Sequence, residues 1–512
     1  MSLYGITFNI MRTASLLSVL ILLSSCLATR VAEESSLDPT SSEPAEVASV
    51  SGSVTLPADP VGSAPGSESS VEESRPDAEA PPIPEPPPPP PDEAYAEMSA
   101  AVAVGDIEAA IERFEEAFSS DPQDPETKIL FSNLQMAAGE LDDARSTLGE
   151  MLEAEPENVG ALFALALIAS ADGREEEQSD LLHRVLDIEP DEARAHAALG
   201  ELSLRREEIG EAISSFERSI ELDPESVVPR IGLGNALIRE ERYEEAVVEL
   251  SVAADLEPEY EFTFVDRSRA RLELGDPAGA EADLTRAIEI APDYYWNYID
   301  RGRVRLWGID DAAGALEDFQ QAIMLDSSYF YPYVYRGLIL DRMDRRSAAI
   351  ADYERVMLER DDYHYLYEPL ALNLYLEKRW LDSIPYFRRA WELNIDEFAY
   401  PFLIALSYFR SEDTKNGEEV LNAAISSFPR DSLQYELARL FLEPGYDAHV
   451  TTLVSQESNI PHKTRMLYYL AEYYLLNGRT SLGQKYLIEV EDAAYPGMIE
   501  HRLARVELDE YR

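Results

Sequence analysis

Aromatic, arginine and carboxylate side chains recur about 34 residues apart in the middle of this chain. The three columns are Phe262, Trp296, Tyr331 and Tyr365; Asn235, Arg269 and Arg303; and Asp266 and Asp300. Aromatic rings offer apolar anchors, and arginines beside them offer charge-assisted hydrogen bonds. These residue types in this pattern point to recognition of a ligand rather than to its chemical transformation.

A search of the sequence for catalytic and metal-binding patterns supports that interpretation. No histidine pairs with another histidine or with a cysteine at metal-ligand spacing, and the sequence has no G-x-S-x-G motif, phosphate-binding loop or calcium loop. The many carboxylates decorate the faces of predicted helices, where they are expected to be solvated. We therefore predict a protein that is not an enzyme and that holds no metal or cofactor.

The candidate residues belong to a 34-residue repeat that is visible in ten segments. One column is proline in its regular part: Pro122, Pro156, Pro190, Pro224, Pro258 and Pro292. A column of mostly small residues includes Ala110, Ala144, Ala212, Ala246, Ala280, Ala315 and Ala349. A bulky column follows four residues later, with Phe114, Leu148, Phe216, Leu250, Leu284, Phe319 and Tyr353, and a mostly small column comes three residues after that.

Spacings of three and four place these columns on one face of a helix, which the proline ends. An earlier helix in each repeat has its own small column, including Gly200, Gly234 and Gly302, and Gly139, Gly173 and Gly275 are expected to cap its end. Each repeat is therefore a helical hairpin that buries its apolar face only by stacking on its neighbours.

The small–bulky–small helix closed by proline resembles the tetratricopeptide repeat (TPR) family over residues 93–430, best over 193–327. The resemblance implies an all-α fold, an α-solenoid forming a right-handed superhelix of about ten to eleven TPR-like hairpins. Gln178 departs from the small column, and the repeat at 295–328 carries one extra residue, expected in the turn near Trp307 and Gly308. Residues 431–512 are expected to form a degenerate TPR-like cap, with a helical pair at 464–495 and a polar helix at 498–512.

In TPR proteins the first helix of each repeat lines a concave groove, so the resemblance implies that the three columns described first face a ligand. An alternative remains for the aromatic residues. Tyr298, Tyr333 and Tyr367 occupy a column that TPRs use for packing, and Trp296 and Tyr331 could simply cover neighbouring turns. The Lys and Asn pattern with which some TPRs clamp a C-terminal carboxylate is not recognisable, which argues against a receptor for chaperone tails.

The single cysteine, Cys26, marks the N-terminal region. An apolar run at 14–23 is too short to span a bilayer comfortably, and its last residue, Leu23, is followed by Ser24, Ser25 and Cys26. This arrangement resembles the lipobox of bacterial lipoproteins, which implies that residues 1–25 are a signal peptide and that Cys26 becomes lipidated. The alternatives are an ordinary secretory signal or a poor membrane anchor. Because residues 1–10 add no positive charge, Met11 is expected to be an alternative start to Met1.

Residues 26–92 are predicted to be a disordered linker. Residues 27–92 contain thirteen acidic residues, two arginines and no aromatic residue, so they cannot bury a core. The net charge of −56 disfavours nucleic acid as a partner. It is compatible with a self-repelling soluble surface or with a preference for basic segments of a protein partner.

Two functional hypotheses follow. The first is a membrane-anchored scaffold of the bacterial cell envelope, facing the periplasm or the cell surface, that binds a protein partner in its groove. The second is a carbohydrate-binding accessory of polysaccharide export or cell-wall assembly, in which the aromatic row stacks on sugar rings.

Overall fold

The computed structural model describes residues 97–98, 100–102, 105–118, 124–443 and 445–512, and all regular structure in these ranges is helical. The described chain divides into two compact units, 97–290 and 291–512. The predicted signal peptide at 1–25, Cys26, the linker at 26–92 and Pro122 lie outside the described residues. The predicted all-α fold of consecutive TPR-like hairpins is confirmed.

The first unit consists of stacked helical hairpins. Its helices are α1 (Ile107–Ala117), α2 (Pro125–Ala137), α3 (Leu141–Ala154), α4 (Val159–Ala171), α5 (Glu175–Ile188), α6 (Ala193–Arg205), α7 (Ile209–Leu222), α8 (Val228–Arg239), α9 (Tyr243–Leu256), α10 (Glu261–Glu273) and α11 (Pro277–Ile290). The even-numbered helices from α2 are the first helices of their repeats, and the odd-numbered helices from α3 are the second helices.

The hairpin α6–α7 shows why small and bulky columns alternate. Ala212 and Phe216 of α7 are fully buried, and Gly200 of α6 lies against the Phe216 ring. A Cβ atom at Gly200 would lie only 2.7 Å from the Cδ1 and Cε1 atoms of that ring. The small residue is therefore needed because one large side chain fills the space between two closely approaching helices.

The turn inside each hairpin contains one residue with left-handed backbone geometry. Gly139 and Gly173 have φ angles of +81° and +68°, as expected for glycines that follow a helix. In the same turn, Arg174 N–H donates to the carbonyl of Ala169, five residues earlier, at 2.8 Å. Glu207 and Glu241 hold the equivalent left-handed position in later repeats, with φ angles of +61° and +59°.

Gln178 shows how a repeat tolerates a departure from the small column. Its side chain is buried on α5, and its Oε1 atom accepts a hydrogen bond from Nη2 of Arg205 on α6 at 2.5 Å. The larger polar side chain therefore keeps a hydrogen-bond partner in the interior.

The second unit begins with the same hairpins. Its helices are α12 (Tyr295–Arg303), α13 (Ala312–Leu325), α14 (Tyr331–Arg342), α15 (Arg346–Glu359), α16 (Tyr367–Leu376), α17 (Trp380–Leu393), α18 (Ala399–Arg410), α19 (Thr414–Ala424), α20 (Leu433–Leu442), α21 (Asp447–Gln456), α22 (Ile460–Leu476), α23 (Thr480–Asp492) and α24 (Ile499–Asp509). Up to α19, the even-numbered helices are again the first helices of their repeats.

A π-helix at Val304–Ile309 continues α12. A π-helix takes up one more residue than the α-helical turn that it replaces, so this segment accommodates the extra residue of the repeat. The sequence predicts that residue near Trp307 and Gly308, and both lie within the π-helix. Asp310 then reverses the chain with a φ angle of +62°.

The C-terminal helices share one apolar core with the hairpins from α14 onwards. The helical pair expected at 464–495 corresponds to α22 and α23. The last helix, α24, is not simply a polar helix facing water, because Glu500, Leu503, Ala504 and Leu508 are all buried. The local pattern does not reveal this packing because α24 contacts residues far away in the sequence.

Candidate binding surface

A cluster of aromatic rings covers the starts of α12, α14 and α16 in the second unit. The Trp296 ring lies 4.7 Å from the Tyr329 ring, measured between centroids, and Tyr329 lies 5.4 Å from Tyr331. Tyr331 in turn lies 6.4 Å from Tyr363, whose ring is 5.5 Å from Tyr365. The structure thus joins three residues of the predicted aromatic row, Trp296, Tyr331 and Tyr365, through intervening tyrosines.

The intervening tyrosines are not among the predicted site residues, although the sequence contains a signal for them. A tyrosine stands two residues before each member of the row: Tyr260, Tyr294, Tyr329 and Tyr363 precede Phe262, Trp296, Tyr331 and Tyr365. This Tyr-x-aromatic motif recurs with the repeat and places two rings at the start of each of these first helices or in the residues just before it. The repeat period therefore extends into the loop before each first helix, where the sequence alone carries the signal for these tyrosines.

The rings of this aromatic cluster differ in exposure. Tyr365 is 48% exposed, whereas Trp296 and Tyr331 are half-buried. Burial raises the pKa of each of the Tyr329 and Tyr363 hydroxyls above the ordinary value of a tyrosine. Both hydroxyls are therefore neutral at physiological pH. The cluster therefore presents uncharged, partly exposed aromatic surface, which suits stacking against an apolar or planar group.

Asp300 and Arg303 lie beside the aromatic cluster on α12. Arg303 is exposed, and its Nη1 atom lies 3.4 Å from Oδ1 of Asp300. Burial raises the pKa of the nearby Tyr335 hydroxyl, and Arg303 offsets part of that rise. The structure thus brings Trp296, Asp300, Arg303 and Tyr331 to one region of the second unit.

The remaining predicted site residues lie in the first unit. Nδ2 of Asn235 on α8 donates to Oδ2 of Asp266 on α10 at 2.9 Å, and Nη1 of Arg269 lies 3.3 Å from Oδ1 of Asp266. Asp266 is buried, so its carboxylate joins two successive first helices. Phe262 lies 5.5 Å from Tyr260, measured between ring centroids.

The tyrosine column at the packing position of the repeat has a structural role. The Tyr298 hydroxyl donates to the carbonyl of Pro292 at 3.0 Å, and the Tyr367 hydroxyl donates to the carbonyl of Asp361 at 2.7 Å. Each bond ties a first helix to the end of the preceding repeat. These hydroxyls are engaged within the protein.

Buried ion pairs join the two helices of several hairpins, and the sequence analysis did not predict them. Asp283, Asp318 and Asp352 are buried on second helices, and each accepts two or more hydrogen bonds from an arginine of the first helix. The signal in the sequence is an arginine three residues after a phenylalanine or tyrosine, with aspartate 16 or 17 residues later. These pairs fix the two helices of a hairpin against each other.

The described residues contain no group of three or more His, Cys, Asp and Glu side chains arranged to hold a metal ion. None of the helices in the described ranges combines the length and the apolar character needed to cross a bilayer.

Comparisons with known proteins agree with the hairpin geometry. One tetratricopeptide-repeat family model matches residues 101–153, and a second matches 129–188 and 179–227. The chain contains tetratricopeptide repeats, which the family models match over residues 101–227. The TPR family is associated with protein–protein interaction, and its repeats stack into extended concave binding surfaces.

Several solved structures are similar to parts of this chain. YrrB, described as a TPR protein with an unusual peptide-binding site, is 18% identical, with a TM-score of 0.32, covering 36% of this chain and 95% of its own. The pilF protein of Pseudomonas aeruginosa is 19% identical, with a TM-score of 0.36, covering 40% and 92%. PilW, described as a widely conserved type IV pilus biogenesis factor, is 16% identical, with a TM-score of 0.38, covering 40% and 95%.

At these identities the likeness concerns the fold alone. A comparison with functionally characterised proteins finds no matching sequence.

Proposed function

We propose that this TPR protein is a non-enzymatic, membrane-anchored scaffold of the bacterial cell envelope that binds a protein partner on the aromatic cluster. The observation that carries the proposal is the continuous set of rings from Trp296 to Tyr365, with Arg303 and Asp300 beside it. Partly exposed aromatic residues next to an arginine are typical of the anchor residues of protein interfaces.

The anchor in this proposal is a lipid on Cys26. Support comes from the sequence, because the single cysteine directly follows Leu23, Ser24 and Ser25 at the end of an apolar run. Residues 27–92 would then tether the repeats to the membrane with an r.m.s. span of about 45 Å, as expected for a flexible chain of this length. The protein would face the periplasm or the cell surface.

The charge of the protein suggests the chemistry of the partner. A net charge of −56 favours segments rich in lysine and arginine, and steering by such a charge weakens as salt increases. We therefore expect the partner to carry basic residues around an apolar or aromatic anchor, and its binding to weaken with ionic strength.

In-cell photo-crosslinking tests the proposal. Photoreactive residues at positions 296 and 303 should each give a discrete protein adduct. A matched control at Gln320, an exposed residue on second helix α13, should not. Equal adducts from all three positions, or no protein adduct from positions 296 and 303, would contradict the proposal.

A carbohydrate-binding accessory of polysaccharide export or cell-wall assembly is the second candidate function. It is favoured by one observation, the stacked pair of Tyr295 and Trp296, whose ring centroids are 5.5 Å apart and whose planes differ by 29°. Such surfaces could also stack on sugar rings. Retention of the wild type on immobilised envelope glycans, with loss of retention in Trp296→Ala, would support this candidate over the first.

A further inference from the structure

The outer face of α9 in the first unit carries three exposed apolar side chains in line. Val248, Val252 and Leu256 are 60%, 36% and 40% exposed, and their spacing of four residues places them along one side of the helix. At 1.5 Å per residue, this row is about 12 Å long. We name these three residues the α9 stripe.

Two positions of the α9 stripe are not occupied by large apolar residues in the neighbouring repeats. The residues equivalent to Val248 are Ser214 on α7 and Ala282 on α11. The position of Val252 holds an arginine in three other repeats of the first unit: Arg184, Arg218 and Arg286. The position of Leu256 is apolar in the same repeats: Ile188, Leu222 and Ile290. The α9 stripe is therefore a feature of one repeat and not a requirement of the hairpin.

The arginine that α9 lacks has a definite role in the other repeats. Nη2 of Arg218 on α7 lies 2.7 Å from Oδ1 of Asp191, and Nη2 of Arg286 on α11 lies 2.7 Å from Oε1 of Glu259. Nη2 of Arg184 on α5 donates to the carbonyl of Pro156 at 3.3 Å. Each contact joins a second helix to the loop that leads into its own hairpin.

Valine at position 252 leaves one carboxylate without such an arginine. Glu225 precedes Val252 by 27 residues, the same separation as in the two ion pairs of α7 and α11. Glu225 is exposed, and no side chain in the described part of the chain pairs with its carboxylate. The loop is otherwise satisfied, because Nη2 of Arg230 on α8 donates to the carbonyl of Pro224 at 2.9 Å. The fold of this repeat is thus complete, with a carboxylate and apolar side chains left facing solvent.

The charge on α9 is entirely of one sign. Its sequence contains four carboxylates and no lysine or arginine, whereas α3, α5, α7 and α11 each contain an arginine. Glu244 and Asp255 are exposed near the two ends of the α9 stripe. An apolar row between carboxylates is complementary to an amphipathic helix whose polar residues are basic.

We propose that the α9 stripe and Glu225 form a docking surface for a basic amphipathic helix of a protein partner. An arginine of that helix takes the place of the arginine missing at position 252 and pairs with Glu225 through charge-assisted hydrogen bonds. Apolar side chains one turn apart on the partner cover the α9 stripe. This surface belongs to a second helix of the first unit, so the inference is independent of the aromatic cluster and of the lipid anchor.

Peptide binding to the full-length protein tests the proposal. The probe is a fluorescein-labelled helical peptide with leucines one turn apart on one face and arginines on both flanks of that face. Val252→Arg restores the arginine of the neighbouring repeats, which pairs with Glu225 and interrupts the α9 stripe. Binding of the peptide should therefore weaken about tenfold or more in this variant. Fluorescence anisotropy at physiological ionic strength measures the dissociation constants.

Met324→Arg is the matched control for the added charge. Met324 is an exposed apolar residue on α13, so the substitution introduces the same group on another second helix and should leave the affinity unchanged. Glu225→Gln changes an exposed loop residue and should weaken binding about threefold or more, because the partner's arginine loses its carboxylate. A peptide in which alanine replaces the leucines should not bind the wild type.

Thermal unfolding separates lost binding from lost folding. Val252→Arg should melt at the temperature of the wild type or above it, because an exposed arginine pair costs the fold nothing. Equal affinity of the peptide for the wild type and Val252→Arg would overturn the proposal, as would an equal loss in Val252→Arg and Met324→Arg. The absence of measurable binding to the wild type would also overturn it.

Discussion

Arg301 of α12 donates two hydrogen bonds to the buried carboxylate of Asp318 on α13, from Nε at 3.0 Å and from Nη2 at 2.6 Å. The guanidinium also lies over the Tyr298 ring, 5.9 Å from its centroid. Arg305 adds a third contact to the same carboxylate at 2.9 Å. One buried aspartate thus ties the first helix of a hairpin, and the π-helix that follows it, to the second helix.

Replacing Asp318 by alanine should destabilise the second unit strongly. The substitution leaves two arginines near the interior without their carboxylate, which typically costs about 3 kcal/mol or more. Urea unfolding monitored by circular dichroism measures the change. Glu392→Ala, which removes the exposed partner of Arg389, is the control and should change stability by less than about 0.5 kcal/mol. Similar effects of both substitutions would contradict the structural role of Asp318.

Two glycines of the first unit should respond to alanine in opposite directions. At Gly200 a Cβ atom would collide with the Phe216 ring, so Gly200→Ala should destabilise by about 1–3 kcal/mol. Gly149 lies inside α3, and no other side chain approaches the position that its Cβ atom would take. Gly149→Ala should therefore stabilise by about 0.5–1 kcal/mol through helix propensity. Thermal unfolding of the two variants tests the pair, and a stable Gly200→Ala protein would argue against this hairpin packing.

The left-handed turn residues offer a third prediction. Glu241 has a φ angle of +59°, whereas its neighbour Glu240 has −85°. Because a side chain in left-handed geometry costs about 1–2 kcal/mol, Glu241→Gly should stabilise the protein by about 1 kcal/mol. Glu240→Gly should be neutral or destabilising, since glycine there only adds freedom to the unfolded chain. Equal melting temperatures for the two variants would contradict the prediction.

Much of the fold could be predicted because equivalent packing contacts recur in every repeat, so the residues that make them form periodic columns in the sequence. The columns containing Gly200 and Phe216 predict close helix packing. The register of the repeat also locates the extra residue near Trp307, but it does not predict that this residue is accommodated in a π-helix. The left-handed turns are predicted only where glycine marks them. Glu207 and Glu241 give no such signal, because the surrounding hairpin imposes their geometry.

The candidate site was only partly predictable. The aromatic column identifies Trp296 and Tyr331, but the rings that connect them, such as Tyr329, precede the helices in which binding residues are expected. The buried position of Glu500 could not be predicted, because its partner Arg465 lies 35 residues away and outside the regular repeat. A contact that occurs only once in a chain produces no repeating pattern in the sequence from which it could be predicted.

The lipid anchor is tested by replacing Cys26 with serine. Thioether attachment of lipid requires the cysteine sulfur, so Cys26→Ser should move the protein from the membrane to the soluble fraction. Fractionation followed by immunoblotting measures the distribution, and metabolic labelling with a fatty acid should mark the wild type alone. Leu27→Ala is a matched control and should remain in the membrane fraction. Tight membrane association of Cys26→Ser would contradict lipidation.

Glu507 should make the stability of the second unit depend on pH. Burial, and then the neighbouring Glu472, raise the pKa of Glu507 above its ordinary value, with Arg410 opposing the rise. Tyr375 and Tyr468 face the same buried group, and burial raises the pKa of both hydroxyls. A folded-state pKa above the unfolded value means that the folded protein retains a proton that the unfolded chain releases.

The resulting stabilisation is complete below the ordinary pKa of a glutamate and is lost as the pH rises through the raised folded-state pKa of Glu507. The unfolding free energy should therefore fall in this window, by up to about 1.4 kcal/mol per pH unit. Glu507→Gln keeps a neutral side chain at every pH and should flatten the slope, whereas Glu510→Gln should leave it unchanged. Urea unfolding of the three proteins at several pH values decides the point, and an unaltered slope in Glu507→Gln would assign the pH dependence to other groups.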